Sequence, residues 1–80
     1  MSQDRIRRLG VSPRQAQVAE LLLQGRQDKQ IASELGIAAR TVRAHLGELF
    51  DRFDARGRVE LAVQIMSALH VHANPRHRQK

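Results

Sequence analysis

The stretch KQIASELGIAARTVRAHLGELFDRF, residues 29–53, decides how the rest of the chain is read. It predicts a short helix, a turn at Leu35-Gly36-Ile37 and a longer helix. In the longer helix Val42, Leu46, Leu49, Phe50 and Phe53 recur at i, i+4, i+7, i+8 and i+11, which gathers them into one apolar stripe. The opposite side carries Arg40, Arg43, Ala44 and Gly47. A helix with one apolar face and an outer face of arginines and small residues can rest on its own domain while entering a groove about as wide as itself. The major groove of B-DNA is such a groove. The expectation is a DNA-recognition helix, with the rest of the chain as its support.

Working outward, 80 residues allow a single domain with a marginal core. With 41% hydrophobic and 2% aromatic residues, that core must be built mainly from Leu, Ile, Val and Ala. The absence of cysteine removes both a disulfide framework and a thiolate zinc site, leaving helix packing and oligomerisation to supply stability. No apolar run is long enough to span a bilayer, and MSQDRIRRLG lacks a hydrophobic signal region, so no membrane association and a cytoplasmic location are expected. The formal net charge of +6 favours a polyanionic partner through counterion release.

Residues 1–10 place Arg5, Arg7 and Arg8 around Ile6, and are expected to form a basic, solvated arm, with an arm that contacts phosphates or the minor groove as the alternative. Ser12-Pro13-Arg14-Gln15 then opens a helix: Ser12 suits the N-cap, Pro13 the first helical position, and Gln15 can complete a capping box. This helix should run to Gln24 and stop at Gly25, with Val18, Leu21 and Leu22 facing inward. Asp28 is the expected cap of the next helix, starting near Lys29 with Ile31, Ala32 and Leu35 inward and Gly36 at its end. After Phe53, Asp54 can adopt a left-handed stop. A last helix, about residues 58–70, carries two apolar stripes. Leu61, Ala62, Ile65 and Leu69 form one; Val59, Val63, Met66 and His70 form the other. One stripe suffices to pack on the domain. The second either mates with another copy around a two-fold axis or sinks the helix deeper, and the dimer is the favoured reading. The polar, basic stretch 73–80 is expected to be a flexible tail.

Ser12-Pro13-Arg14, Gly25, Lys29, Ile31-Ala32, Leu35-Gly36-Ile37, Thr41-Val42-Arg43, His45-Leu46 and Arg58-Val59-Glu60-Leu61-Ala62 resemble, in order and spacing, the LuxR-type helix-turn-helix domain, also called the GerE or FixJ/NarL type. The combination is specific, although region 4 of sigma factors shares its middle portion; the segment from Arg58 to Ala62 tips the reading to the LuxR type. The resemblance implies an all-α, four-helix domain over residues 11–72 that binds double-stranded DNA as a homodimer through its last helix, with its third helix in the major groove. It implies that Arg43 and Ala44 face bases, that Gly47 stands where a further basic contact is common, and that Lys29, Arg40, Thr41 and His45 lie near phosphates. RNA polymerase is a further candidate partner. Gln27, Ala38 and Gly57 depart from the family's usual capping residues, at a cost on the order of 1 kcal/mol for each lost cap.

Arg43 is the side chain expected to read a base, with a phosphate contact as its alternative. Lys29, Arg40 and Arg14 are expected to contact phosphates, although Arg14, Arg26 and Arg56 can equally be plain surface, Arg26 above all. His45 fits either a phosphate contact or the edge of the core. His70, His72 and His77 have no carboxylate or cysteine nearby, which makes a metal site a weak hypothesis. Catalysis finds no footing: the chain has no cysteine nucleophile, no glycine-rich phosphate loop and no paired carboxylates, and no cofactor is expected. Glu20, Glu34, Glu48, Asp51 and Glu60 read as solubilising charges and local helix pairs. A transcriptional regulator is thus the leading reading. The alternative is a helix-turn-helix interaction module that heterodimerises with a related regulator through its last helix, and a third reading is nonspecific nucleic-acid binding in a chromosome-organising role.

Overall fold

The structure, a computed structural model, describes residues 2–73, with side chains described over 3–70. Five helices follow one another: α1 (Ser2–Arg7), α2 (Pro13–Leu23), α3 (Asp28–Leu35), α4 (Ala39–Arg52) and α5 (Arg58–Ala73). No strand occurs among the described residues. The four helices expected from the sequence are all present, and a short fifth precedes them.

The N-terminal arm is where sequence and structure part. Residues 2–7 form a helix in which Gln3, Asp4, Arg5 and Arg7 stay exposed, as a solvated arm requires, but Ile6 is fully buried in the core. A helix of six residues is unstable alone. Burial of Ile6 and the locking of the following turn hold it in place. At that turn Gly10 takes φ 91°, and Arg52 Nη2 donates to the Leu9 carbonyl at 2.7 Å. A side chain on Gly10 would collide with the Arg52 guanidinium, so the turn and the end of α4 are built around each other.

Helix α2 starts as its sequence predicts. The Ser12 hydroxyl accepts from the Gln15 N–H at 3.1 Å, and the Ser12 N–H donates to Gln15 Oε1 at 3.2 Å. It ends in a Schellman turn, with Gly25 at φ 86° and the Arg26 N–H bonded to the Leu21 carbonyl at 3.1 Å. The start of α3 differs from expectation. Gln27, not Asp28, is its N-cap, and its N–H donates to Gln30 Oε1 at 2.8 Å. Asp28 becomes the first helical residue, and its carboxylate instead accepts from Arg58 Nη1 at 3.0 Å. Helix α4 closes at Asp54, whose φ of 53° is the left-handed stop its sequence suggested. Helix α5 runs to Ala73, past the expected end near His70, and Glu60 Oε1 accepts from the Arg56 N–H at 2.9 Å to cover its start. Beyond Ala73, the expected tail lies outside the described residues.

Every helix contributes at least one fully buried side chain: Ile6, Val18, Ile31, Val42 and Leu49, Leu61 and Ile65. Helix α2 lies against all the others, with Ala16 and Ala19 fully buried where its neighbours come close, while Leu21, expected inward, is only half-buried. No polar or charged residue is buried among those described, so the core is purely apolar. No described helix is long and apolar enough to cross a membrane.

Because α1 is attached through one buried residue, Ile6→Ala should cost about 3 kcal/mol of unfolding free energy in urea denaturation and release the α1 amides to rapid exchange. A loss under about 1 kcal/mol would mean that α1 contributes nothing to the core.

Candidate nucleic-acid interface

Helix α4 has the two faces required of a recognition element. Val42, Leu46 and Leu49 are buried and Phe50 and Phe53 half-buried, which fixes the helix on α2 and α3. Arg40, Arg43 and Ala44 are exposed on the other side. Gly47 stands between them with open space where a side chain would be, so the backbone itself is accessible there. Thr41 and His45 are half-buried along the flank.

The turn into α4 is formed by Gly36 at φ 69°, with the Ile37 N–H bonded to the Ala32 carbonyl at 3.0 Å. Ala32 is buried at the contact between the two helices, where a larger side chain would force them apart. Ala38 then occupies the N-cap in extended conformation, φ −73° and ψ 150°, without a side-chain hydrogen bond. The free N–H groups of the first turn therefore have no side-chain cap and carry the positive end of the helix dipole.

Of the other residues expected at this surface, Arg14 is half-buried in the first turn of α2 and Lys29 is exposed near the start of α3. Neither they nor Arg40 and Arg43 pair with any described residue, so their charges are available. The side chain of Gln15, next to Arg14, donates to Glu48 Oε1, which places the first turn of α2 beside the middle of α4.

Three side chains make contacts that the sequence did not indicate. Arg26, expected as surface, is partly exposed with its Nη1 2.6 Å from Glu34 Oε1. Arg58 ties the start of α5 to that of α3, through Asp28 and through the Arg26 carbonyl at 3.3 Å. Glu48, expected as a solubilising charge or local helix pair, is exposed; it bridges α4 to α2 and also sits 3.7 Å from His45 Nδ1 one turn back. That nitrogen is buried and has no hydrogen-bond partner.

On α5 the inner stripe is buried at Leu61 and Ile65 and half-buried at Ala62 and Leu69. The outer one is open to solvent, with Val59 77%, Val63 57% and Met66 60% exposed and His70 exposed beyond them. Leu22, Arg58, Val59, Ala62, Val63 and Met66 line a hollow of about 370 Å³. Among the described residues no group of three metal-ligating side chains comes together. His77 and the side chain of His72 lie outside them.

A family model for bacterial regulatory proteins of the luxR family matches residues 10–65. The spore germination protein GerE of Bacillus subtilis is 36% identical over 56 residues, covering 70% of this chain and 76% of that protein. The transcriptional regulatory protein UhpA of Escherichia coli is 42% identical over 52 residues, covering 65% of this chain and 26% of that protein. The C4-dicarboxylate transport transcriptional regulatory protein DctR of Rhodobacter capsulatus is 45% identical over 48 residues, covering 60% of this chain and 24% of that protein. The chain thus spans about three quarters of the first of these and about a quarter of the other two. No solved structure matches it.

The uncapped start of α4 generates a direct test. Ala38→Ser places a hydroxyl at an N-cap already in the extended conformation, and should stabilise the domain by about 1 kcal/mol in denaturant titration while slowing amide exchange in the first turn. Destabilisation would show that the turn cannot orient the added hydroxyl toward the helix.

Proposed function

Because the chain belongs to the luxR family of bacterial regulatory proteins, a family of DNA-binding transcription regulators, we propose that it reads DNA sequence as a homodimer with α4 in the major groove. The observation that carries this reading is the outer face of α4. There Arg40, Arg43 and Ala44 are exposed, Gly47 opens the backbone, and no described side chain pairs with either arginine.

Arg43 supplies base readout, since its guanidinium can donate bidentately to guanine O6 and N7. Ala44 packs against base edges, and Gly47 lets the helix approach closely. Arg40, Thr41, His45, Lys29 and Arg14 neutralise or hydrogen-bond phosphates and set the register. Val59, Val63, Met66 and His70 form the dimer contact, which removes the exposed α5 stripe from water. In this reading the protein works in the cytoplasm, catalyses nothing, needs no cofactor and acts on transcription directly or through RNA polymerase. The exposed α5 stripe would serve equally in a module that heterodimerises with a related regulator, and DNA binding separates the two readings.

Selection from a random duplex pool should enrich a near-palindrome whose half-sites lie about one helical turn apart. No enrichment by folded protein would reject the proposal in favour of the interaction module or of nonspecific nucleic-acid binding, and strongly salt-dependent affinity for any duplex would mark the second. On the selected site, Arg43→Ala should remove about 1–3 kcal/mol of discrimination with a smaller loss on random duplex. Lys29→Ala and Arg40→Ala should instead weaken binding on every duplex and each reduce the salt slope by about 1. Uniform weakening by Arg43→Ala would reassign it to a phosphate.

The dimer is tested separately. Val63→Glu, at an exposed position, should leave the unfolding midpoint nearly unchanged while abolishing the dimer in sedimentation and lowering affinity for the palindrome but not for a single half-site. Dimerisation that survives the substitution would move the contact elsewhere.

A further inference from the structure

Helix α4 is held unevenly. Its C-terminal half is tied by polar contacts to other parts of the chain, Arg52 to the Leu9 carbonyl and Glu48 to Gln15. Its first turn has no side-chain cap. The contact at Glu48 spans 33 positions in sequence and belongs to a continuous polar path. The Ser12 N–H donates to Gln15 Oε1, the Gln15 amide donates to Glu48 Oε1, and the same carboxylate oxygen is 3.7 Å from the buried His45 Nδ1. The glutamine that caps α2 therefore also grips α4, on the turn that carries Ala44, His45 and Gly47.

A carboxylate is a poor choice of residue here if contact with DNA is all that matters. The Glu48 side chain is 62% exposed and stands one position from Gly47, so it repels any phosphate backbone that approaches the face of Arg40 and Arg43. Its position makes sense if it performs a task that outweighs this repulsion. Gln15 offers an amide N–H, and a charged acceptor makes the stronger hydrogen bond with it. The half-buried His45 ring packs beside that acceptor, with its Nδ1 edge toward the carboxylate and so turned from solvent.

We propose that Glu48 is a specificity-determining positioning residue: its carboxylate, held by Gln15, sets the seating of α4 on α2 and the orientation of His45, while its charge weakens binding to DNA of any sequence. The inference rests on the DNA-recognition reading of α4. It adds a residue that discriminates without touching a base: its geometry favours the correct site, while its repulsion lowers binding to every duplex alike.

The experiment compares the wild type with Glu48→Ala, Gln15→Glu and the exchanged pair Gln15→Glu/Glu48→Gln. Glutamate at position 15 can still complete the capping box of α2, so the start of that helix is preserved. Gln15→Glu alone sets two carboxylates against each other. The exchanged pair restores a carboxylate–amide contact with its polarity reversed. Two quantities are read: amide hydrogen exchange of residues 39–47 in the free protein, and the ratio of affinities for the selected site and for random duplex.

Glu48→Ala should accelerate exchange over residues 39–47 while leaving the α2 core amides unchanged, raise affinity for random duplex about two- to fivefold through loss of one repulsive charge, and lower the specificity ratio about tenfold. Gln15→Glu should accelerate the same amides, and the exchanged pair should return both exchange and ratio toward the wild type. Three results would overturn the proposal: unaltered exchange over residues 39–47, a rise in affinity equal on all duplexes, or no recovery in the exchanged pair. A wild-type chain without sequence preference would overturn the recognition reading instead, and the exchange data would still decide whether Glu48 seats α4.

Discussion

The structure depends on one constraint, that α4 must be buried along one side and left empty along the other. Val42, Leu46 and Leu49 satisfy the first half of it by entering the common core. Each such side chain contributes about 1.5–3 kcal/mol on burial, which is large against the stability of a small domain. The second half is satisfied by what is missing. Gly47 leaves open space, Ala44 is short, and Ala38 provides no capping group, so the outer face and first turn stay accessible. A helix stabilised for its own sake would be capped at Ala38 and filled at Gly47. The polar ties lie at the other end, where Glu48 and Arg52 reach α2 and the turn before it. Apolar burial thus holds α4 along its whole length, from Val42 to Leu49, while its side-chain polar ties lie in the second half, away from Arg40 and Arg43.

Charge is divided by the same logic. A net charge of +6 says only that the chain prefers polyanions. The structure sorts the cations into two sets. Arg26, Arg52 and Arg58 are consumed internally, in contacts to Glu34, to the Leu9 carbonyl, and to Asp28 with the Arg26 carbonyl. These contacts join helix ends and turns, and keep the five helices in register where no polar group enters the core. Arg14, Lys29, Arg40 and Arg43 have no partner among the described residues. Arg5, Arg7, Arg8 and Arg56 likewise have no side-chain partner among the described residues, so it is position on α4 or beside it, and not the lack of a partner alone, that marks the former four for a ligand.

Helices with a local signature were legible in the sequence. The Ser12 capping box, the glycines at positions 25 and 36, the left-handed Asp54 and the apolar period of α4 each act within a few residues, and each has its predicted role. What the sequence concealed is non-local or too short. With six residues, α1 holds one apolar side chain at Ile6, so no period exists to detect; only its fit into the core makes it a helix. The start of α3 was misread because Asp28 is the better cap by residue type, whereas Gln30 covers the N–H of Gln27 and leaves Asp28 to Arg58. The roles of Glu48 and Arg26 depend on partners in other helices. The family signature pointed to α4 as the proposed recognition helix but not to the side chains that hold it.

The outer stripe of α5 connects packing to the proposed assembly. Val59, Val63 and Met66 are the large apolar side chains most exposed among the described residues, and they stand on the helix whose opposite side, Leu61 and Ile65, is fully buried. Among the described residues no further layer covers the outer stripe. Leaving the outer stripe in water reserves apolar surface for association. The start of α5 is not free to swing, because Arg58 binds Asp28 at the start of α3 and the carbonyl of Arg26 before it. A partner seated on the outer stripe would therefore be held in fixed relation to α3, and through the turn at Gly36 to α4. Under the proposed dimer, the distance between two recognition helices would be set by the direct packing of α5 on α4 and α2, with the Arg58–Asp28 pair as a further tie. That gives Arg58 and Asp28, which face no base, a part in half-site spacing.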